Sequence, residues 1–170
     1  MRSSCYKLFS LEVIKNNNLR FETNIKHGED GLFVFEYLKC VDKFIYMPIP
    51  LWNILLRPGS ATRVSFNKGK LTAITAIEKM MAYDNDAELQ MELKKFLTKR
   101  TLYLLFEAMR SKNEYIEDVL GLRKRLRCEC QLYMKTEKNY KQKMIYLFAT
   151  FAPRTIVKYV LTKKQNIKRK

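Results

Sequence analysis

A chain of 170 residues has the size of one domain, or of a piece of a larger one, and can bury a modest core. Its 47% apolar and 29% charged residues, interrupted by only four prolines and five glycines, exclude a disordered chain and fit a helix-rich globular one. The net charge of +16 is lopsided, because residues 120–170 hold fifteen Lys/Arg against two Asp/Glu while residues 67–119 hold nine against nine.

Taken in chain order, the first third reads as mixed α/β. Cys5–Phe9 is a short strand candidate, and L-E-V-I-K-N-N-N-L-R-F follows as a helical turn that stops at the Asn16-Asn17-Asn18 breaker run. Helix propensity resumes at Glu29, where Leu32, Phe33, Phe35, Tyr37 and Leu38 fit a helix buried on a wide face and two carboxylates occupy the first turn. K-F-I-Y-M and P-L-W-N-I-L-L read as two strands around the extended Met47-Pro48-Ile49-Pro50, and Arg57–Ser60 reads as a turn. From about Asn67 onward every segment looks helical. One helix carries Leu71, Ile74, Ile77 and Met81 and ends at Asp84-Asn85-Asp86; a second runs through Leu89, Leu93, Phe96, Leu97, Tyr103 and Leu104. Further helices are expected over Tyr115–Tyr133 and from about Tyr140 to Leu161, the last one started or kinked by Pro153. The division expected on this pattern is 1–66 and 67–170.

Cys5, Cys40, Cys128 and Cys130 lack C-x-x-C spacing and His27 is the only histidine, so no zinc site is expected. The Met1 end carries no basic-then-apolar leader, which places the expected site of action in the cytoplasm with reduced thiols. The longest apolar stretch, M-I-Y-L-F-A-T-F-A at 144–152, falls well short of the ~20 residues a spanning helix needs.

Four short features of the first sixty-odd residues occur in one order: S-S-C-Y-K-L-F, H-G-E-D-G-L-F, I-P-L-W-N-I-L-L-R-P-G-S, and S-A-T. In that order they resemble the family 2 inverting glycosyltransferases of bacterial cell-surface polysaccharide synthesis. The resemblance covers about residues 4–66 and implies the C-terminal, acceptor-side part of a GT-A nucleotide-sugar transferase fold: an α/β remnant followed by a mainly helical C-terminal region. It implies Asp30 as general base, Glu29 as a residue orienting the acceptor, Arg57 and Ser60 at the donor diphosphate, and Lys7 and Trp52 on the acceptor side. Trp52 stands where the family more often has tyrosine, and Cys5 and Tyr6 replace its asparagine region. It also implies a nucleotide-sugar donor, a glycan or lipid-linked acceptor, and a divalent cation (Mg2+ or Mn2+) in the complete enzyme, with no metal ligands in this chain. No D-x-D motif precedes Cys5, and Asp84-Asn85-Asp86 comes too late to serve, so the nucleotide-binding half is expected elsewhere and this polypeptide alone is expected to transfer little or no sugar.

The chemistry asks for such residues independently. An acceptor hydroxyl attacking an anomeric carbon must lose its proton to one carboxylate, and a departing diphosphate is well met by a planar guanidinium. Each residue also has a plainer role: Glu29 and Asp30 as helix-start charges, Arg57 as a surface turn residue, Trp52 as core.

Arg123, Lys124, Arg125 and Arg127 on one predicted helix, and Lys163, Lys164, Lys168, Arg169 and Lys170 at the end, bracket the apolar, aromatic 144–152 segment. That arrangement fits a segment lying on an anionic inner-membrane surface through residues 120–170, peripheral to the membrane's inner face. A solvated tail is the plainer alternative. A basic helical nucleic-acid binder, or a non-catalytic interaction protein, is the competing assignment for the whole chain; nucleic acid is the weaker expectation because no zinc-finger, RNP or helix-turn-helix pattern is present.

Overall fold

The computed structural model describes residues 4–49, 65–111, 115–157 and 159, and every regular element among them is a helix. These are α1 (Leu11–Asn16), α2 (Glu29–Lys39), α3 (Thr72–Tyr83, entered through a 3-10 turn at Lys68–Leu71), α4 (Ala87–Arg110), α5 (Ile116–Thr136) and α6 (Tyr140–Phe151). They form two compact units, one of Met1–Val64 with Lys68–Asp86 and one of Ser65–Asn67 with Ala87–Lys170. Helix α3 therefore belongs with α1 and α2.

The expected α/β remnant is overturned: no strand occurs among the described residues. Cys5–Phe9 begins in a turn, closed by the Lys7 amide donating to the Ser4 carbonyl (3.2 Å), and continues as irregular chain. Phe9 then packs edge-on against Phe33 and Tyr37 of α2, so this segment contributes a ring to a core and not a rung to a ladder. Lys43–Met47 is irregular too, with Phe44 and Ile45 81% and 91% exposed. Strand preference in such a run is a fit to a pleated, half-covered surface, and it acts only where a neighbouring strand and a covering layer are supplied. The run expected to pair with it, P-L-W-N-I-L-L, lies outside the described residues, as does the Arg57–Ser60 turn.

In the first unit, α1 starts where the Ser10 hydroxyl accepts from the Val13 amide (3.5 Å) and stops at the asparagine run. There Asn18 takes a left-handed φ of 49°, a conformation asparagine tolerates better than most residues. Helix α2 buries Leu32, Phe33, Val34 and Phe35 in succession, the wide apolar face its sequence requires. Phe21 stacks on Phe33, with ring centroids 4.4 Å apart. Helix α3 offers Ala73, Ile74, Ala76, Ile77 and Met80 to this core. Lys39 pairs with Asp84, and Lys79 with Glu22.

In the second unit, Leu97, Leu104, Leu105, Met109, Val119, Leu122 and Leu126 form the apolar centre. Tyr146 is fully buried; its ring stacks on Tyr133 at 4.3 Å and its hydroxyl donates to the Leu126 carbonyl, which meets the polar requirement of a sunken phenol. The helix expected to continue to Leu161 stops at Phe151. Ala152 adopts an extended conformation (φ −65°, ψ 151°), as the residue before a proline prefers, and helical backbone resumes after Pro153 at 154–157 and 159. The residues beyond 157 expected to extend the helix, apart from Tyr159, and the terminal lysine and arginine group are outside the described residues. The guanidinium of buried Arg123 donates from Nη2 to the Ala152 carbonyl (2.7 Å), a cation at the negative end of α6. No described helix is long and apolar enough to cross a membrane.

A candidate acceptor site at the start of α2

Glu29 and Asp30 open α2 behind Gly28, whose left-handed backbone (φ 92°) takes the N-cap position without a side-chain cap. A glycine is required there twice over. A side chain at that φ would be strained, and a Cβ would lie 3.1 Å from the Cβ of Ala76 on α3. The loop leading in is held by one hydroxyl, since Thr72 Oγ1 accepts from the amides of Lys26 (3.0 Å) and His27 (3.1 Å) and donates to the Gly69 carbonyl (2.7 Å). The carboxylate pair is thus fixed from both sides, by close packing on α3 and by the Thr72 clamp.

Asp30 is half-buried, and its Oδ1 accepts from the Gly31 amide at 2.7 Å. That bond orients the carboxyl. Glu29 is half-buried as well, and its Oε2 is shielded from solvent with no hydrogen-bond partner among the described residues. A shielded carboxylate oxygen without a donor is costly, which marks a position where a hydroxyl or cation would be favoured. Both charges sit at the positive end of the helix dipole.

Along the same side of α2, Phe33 and Tyr37 follow Glu29 at intervals of four, and Phe9 covers both rings at 5.4 and 4.9 Å. The Tyr37 hydroxyl accepts from the Ser10 amide (2.9 Å), tying the Cys5–Ser10 segment to this face. Lys7 on that segment is exposed, its Nζ 5.5 Å from the ring centroid of Tyr6. Trp52, Arg57 and Ser60 lie outside the described residues. Among the described residues no three His, Cys, Asp or Glu side chains gather as a metal site would require.

Glu36, one turn before the end of α2, is pushed above the usual carboxylate range by burial and by the nearby Glu22 charge, with Lys79 pulling the other way. Neither Thr72 nor Glu36 stands out in sequence. Thr72 lies 45 positions from His27, and only the K-G-K-L turn before it hints that its hydroxyl faces back along the chain. In the second unit a cleft of 280 Å³ is lined by Glu92, Lys95, Lys99, Tyr133, Thr136, Glu137 and Lys138, with Lys95 paired to Glu92 (2.6 Å) and Lys99 to Glu137 (3.1 Å). No protein-family model, no curated protein and no solved structure matches this chain.

Proposed function

We propose that this chain is the acceptor-side portion of an inverting, family 2-type glycosyltransferase of surface polysaccharide synthesis, with Asp30 as its general base. The observation that carries the reading is the ordered run of K-L-F, H-G-E-D and R-P-G-S motifs in the first sixty residues. It is supported by a half-exposed Asp30 whose carboxyl is held by the Gly31 amide, beside a Glu29 oxygen that has no donor among the described residues.

In the proposed reaction a hydroxyl of a glycan or lipid-linked acceptor attacks the anomeric carbon of a nucleotide sugar. The new C–O bond forms as the bond to the diphosphate oxygen breaks, and the hydroxyl proton passes to the Asp30 carboxylate. Glu29 orients the acceptor, Lys7 and Trp52 line its side, and Arg57 with Ser60 meets the charge that builds on the diphosphate. The divalent cation belonging to such a donor has no ligand set among the described residues, so no step is assigned to it. Its ligands, and the nucleotide pocket, belong to a separate nucleotide-binding half.

The test joins this chain to such a half and measures sugar transfer and donor binding separately. Asp30→Asn is expected to lower transfer by about 10²–10⁴-fold, the range a positioned base supplies, with donor affinity unchanged. Transfer within threefold of the parent would remove Asp30 from the mechanism.

A further inference from the structure

We propose that the outward face of α6, together with the basic edge of α5, is a docking surface for an anionic lipid bilayer. The proposal does not rest on the transferase reading. Helix α6 turns Tyr146, Ala149 and Thr150 inward, where all three are fully buried. Its opposite side ought to be polar if water were its only neighbour. Instead Tyr140, Met144 and Phe151 recur there at intervals of four and seven, 73%, 49% and 52% exposed, with Ile145 beside them. Beyond Pro153, Ile156 and Tyr159 are exposed as well.

Cations border this stripe. Lys124 and Arg127 are exposed on α5 and Lys141 on α6, and the Arg127 guanidinium lies 5.8 Å from the centroid of the Phe151 ring, joining the two helices' outer surfaces. The two acidic residues of the 120–170 segment are both engaged: Glu129 accepts from the Thr98 hydroxyl (2.6 Å) and pairs with Arg125 (3.4 Å), and Glu137 pairs with Lys99 (3.1 Å). Among the described residues, neither of these carboxylates pairs with Lys124, Arg127 or Lys141, the cations that border the stripe.

Charge complementarity selects an anionic partner, and the apolar stripe selects among anionic partners. A polyphosphate backbone would engage Lys124 and Arg127 but gains nothing from Met144, Ile145 or Ile156. A headgroup layer takes both, with phosphates on the cations and the aromatic and aliphatic tips a few ångströms deeper. A second copy of the chain would bring a like charge to the same face. With twelve residues, α6 reaches about 18 Å, so it lies along the surface and does not cross it.

The experiment is co-sedimentation of the purified 170-residue chain with phosphatidylcholine vesicles and with phosphatidylserine-rich vesicles, at physiological and high salt. Binding is expected on the anionic vesicles only, and to weaken at high salt. Lys124→Glu with Arg127→Glu should weaken it at least about 5-fold per charge, the effect of a cation near such a surface. Tyr140→Ser, Met144→Ser and Phe151→Ser together should weaken it about tenfold or more. Far-UV circular dichroism checks that the variants fold. Hydrogen exchange on the unaltered chain, which needs no variant, should show α6 amides slowed by anionic vesicles. Equal partition onto both vesicle types, no partition onto either, a serine triple variant that binds like the parent, or tighter binding to a DNA duplex than to the vesicles would each overturn the proposal.

Discussion

Replacing Gly28 tests whether the carboxylate pair is positioned by backbone geometry. In Gly28→Ala two penalties combine. Holding an L-residue at φ 92° costs about 1–2 kcal/mol, and a Cβ placed 3.1 Å from the Ala76 Cβ forces α2 or α3 to give slightly, adding up to about 1 kcal/mol. The sum, about 1–3 kcal/mol, should appear as amide exchange in α2 about 5- to 150-fold faster, since each 1.4 kcal/mol is tenfold when exchange follows opening. Gly28→Asn separates the parts, because asparagine tolerates left-handed backbone but carries the same Cβ. It should recover part of the backbone penalty and none of the steric one. Exchange that changes less than threefold in Gly28→Ala would show that α2 does not depend on this contact.

Thr72→Val keeps the shape and removes the hydroxyl, so it should destabilise the loop before α2 by about 1–3 kcal/mol, whereas Thr72→Ser should stay close to the parent; urea unfolding reads both. Tyr146→Phe should cost about 1 kcal/mol for the lost bond to Leu126, and Tyr146→Ala about 3–5 kcal/mol for the cavity, in thermal unfolding. Asp84 is held below its ordinary range chiefly by the Lys39 hydrogen bond, so its contribution is present above about pH 4 and fades as pH falls through the depressed value. The stability gap between the parent and Asp84→Asn should therefore shrink on acidification. Glu36 is raised, mainly by burial, so its sign is opposite: its contribution is complete in acid and lost as pH climbs through the raised value. Glu36→Gln should melt higher than the parent at neutral pH.

The helices were legible because their own residues carry the signal. Ile74 and Ile77 sit on one face of α3 by spacing alone, and the Asn16–Asn18 run, Asp84 and Pro153 supply stops that act locally. Cys5–Phe9 and Lys43–Met47 were misread as strands because an apolar run such as Lys43–Met47 does not contain the partner that would make it a strand, and because Phe9 belongs to an aromatic cluster assembled from three separated segments. The helix start at Glu29-Asp30 was visible as two carboxylates ahead of an apolar stretch. The reason for the glycine before them was not, since it depends on Ala76, a residue 48 positions later. The Thr72 clamp was hidden in the same way, as a hydroxyl meeting two amides from a distant loop.

Arg123 has a consequence for the alignment of the second unit. Oily side chains packed between two cylinders permit sliding by a turn at little expense, but a guanidinium reaching one particular carbonyl permits a single alignment. The grip on Ala152, together with the Tyr146 hydroxyl on the Leu126 carbonyl, therefore sets how far α6 lies along α5, and so decides which of its residues look outward.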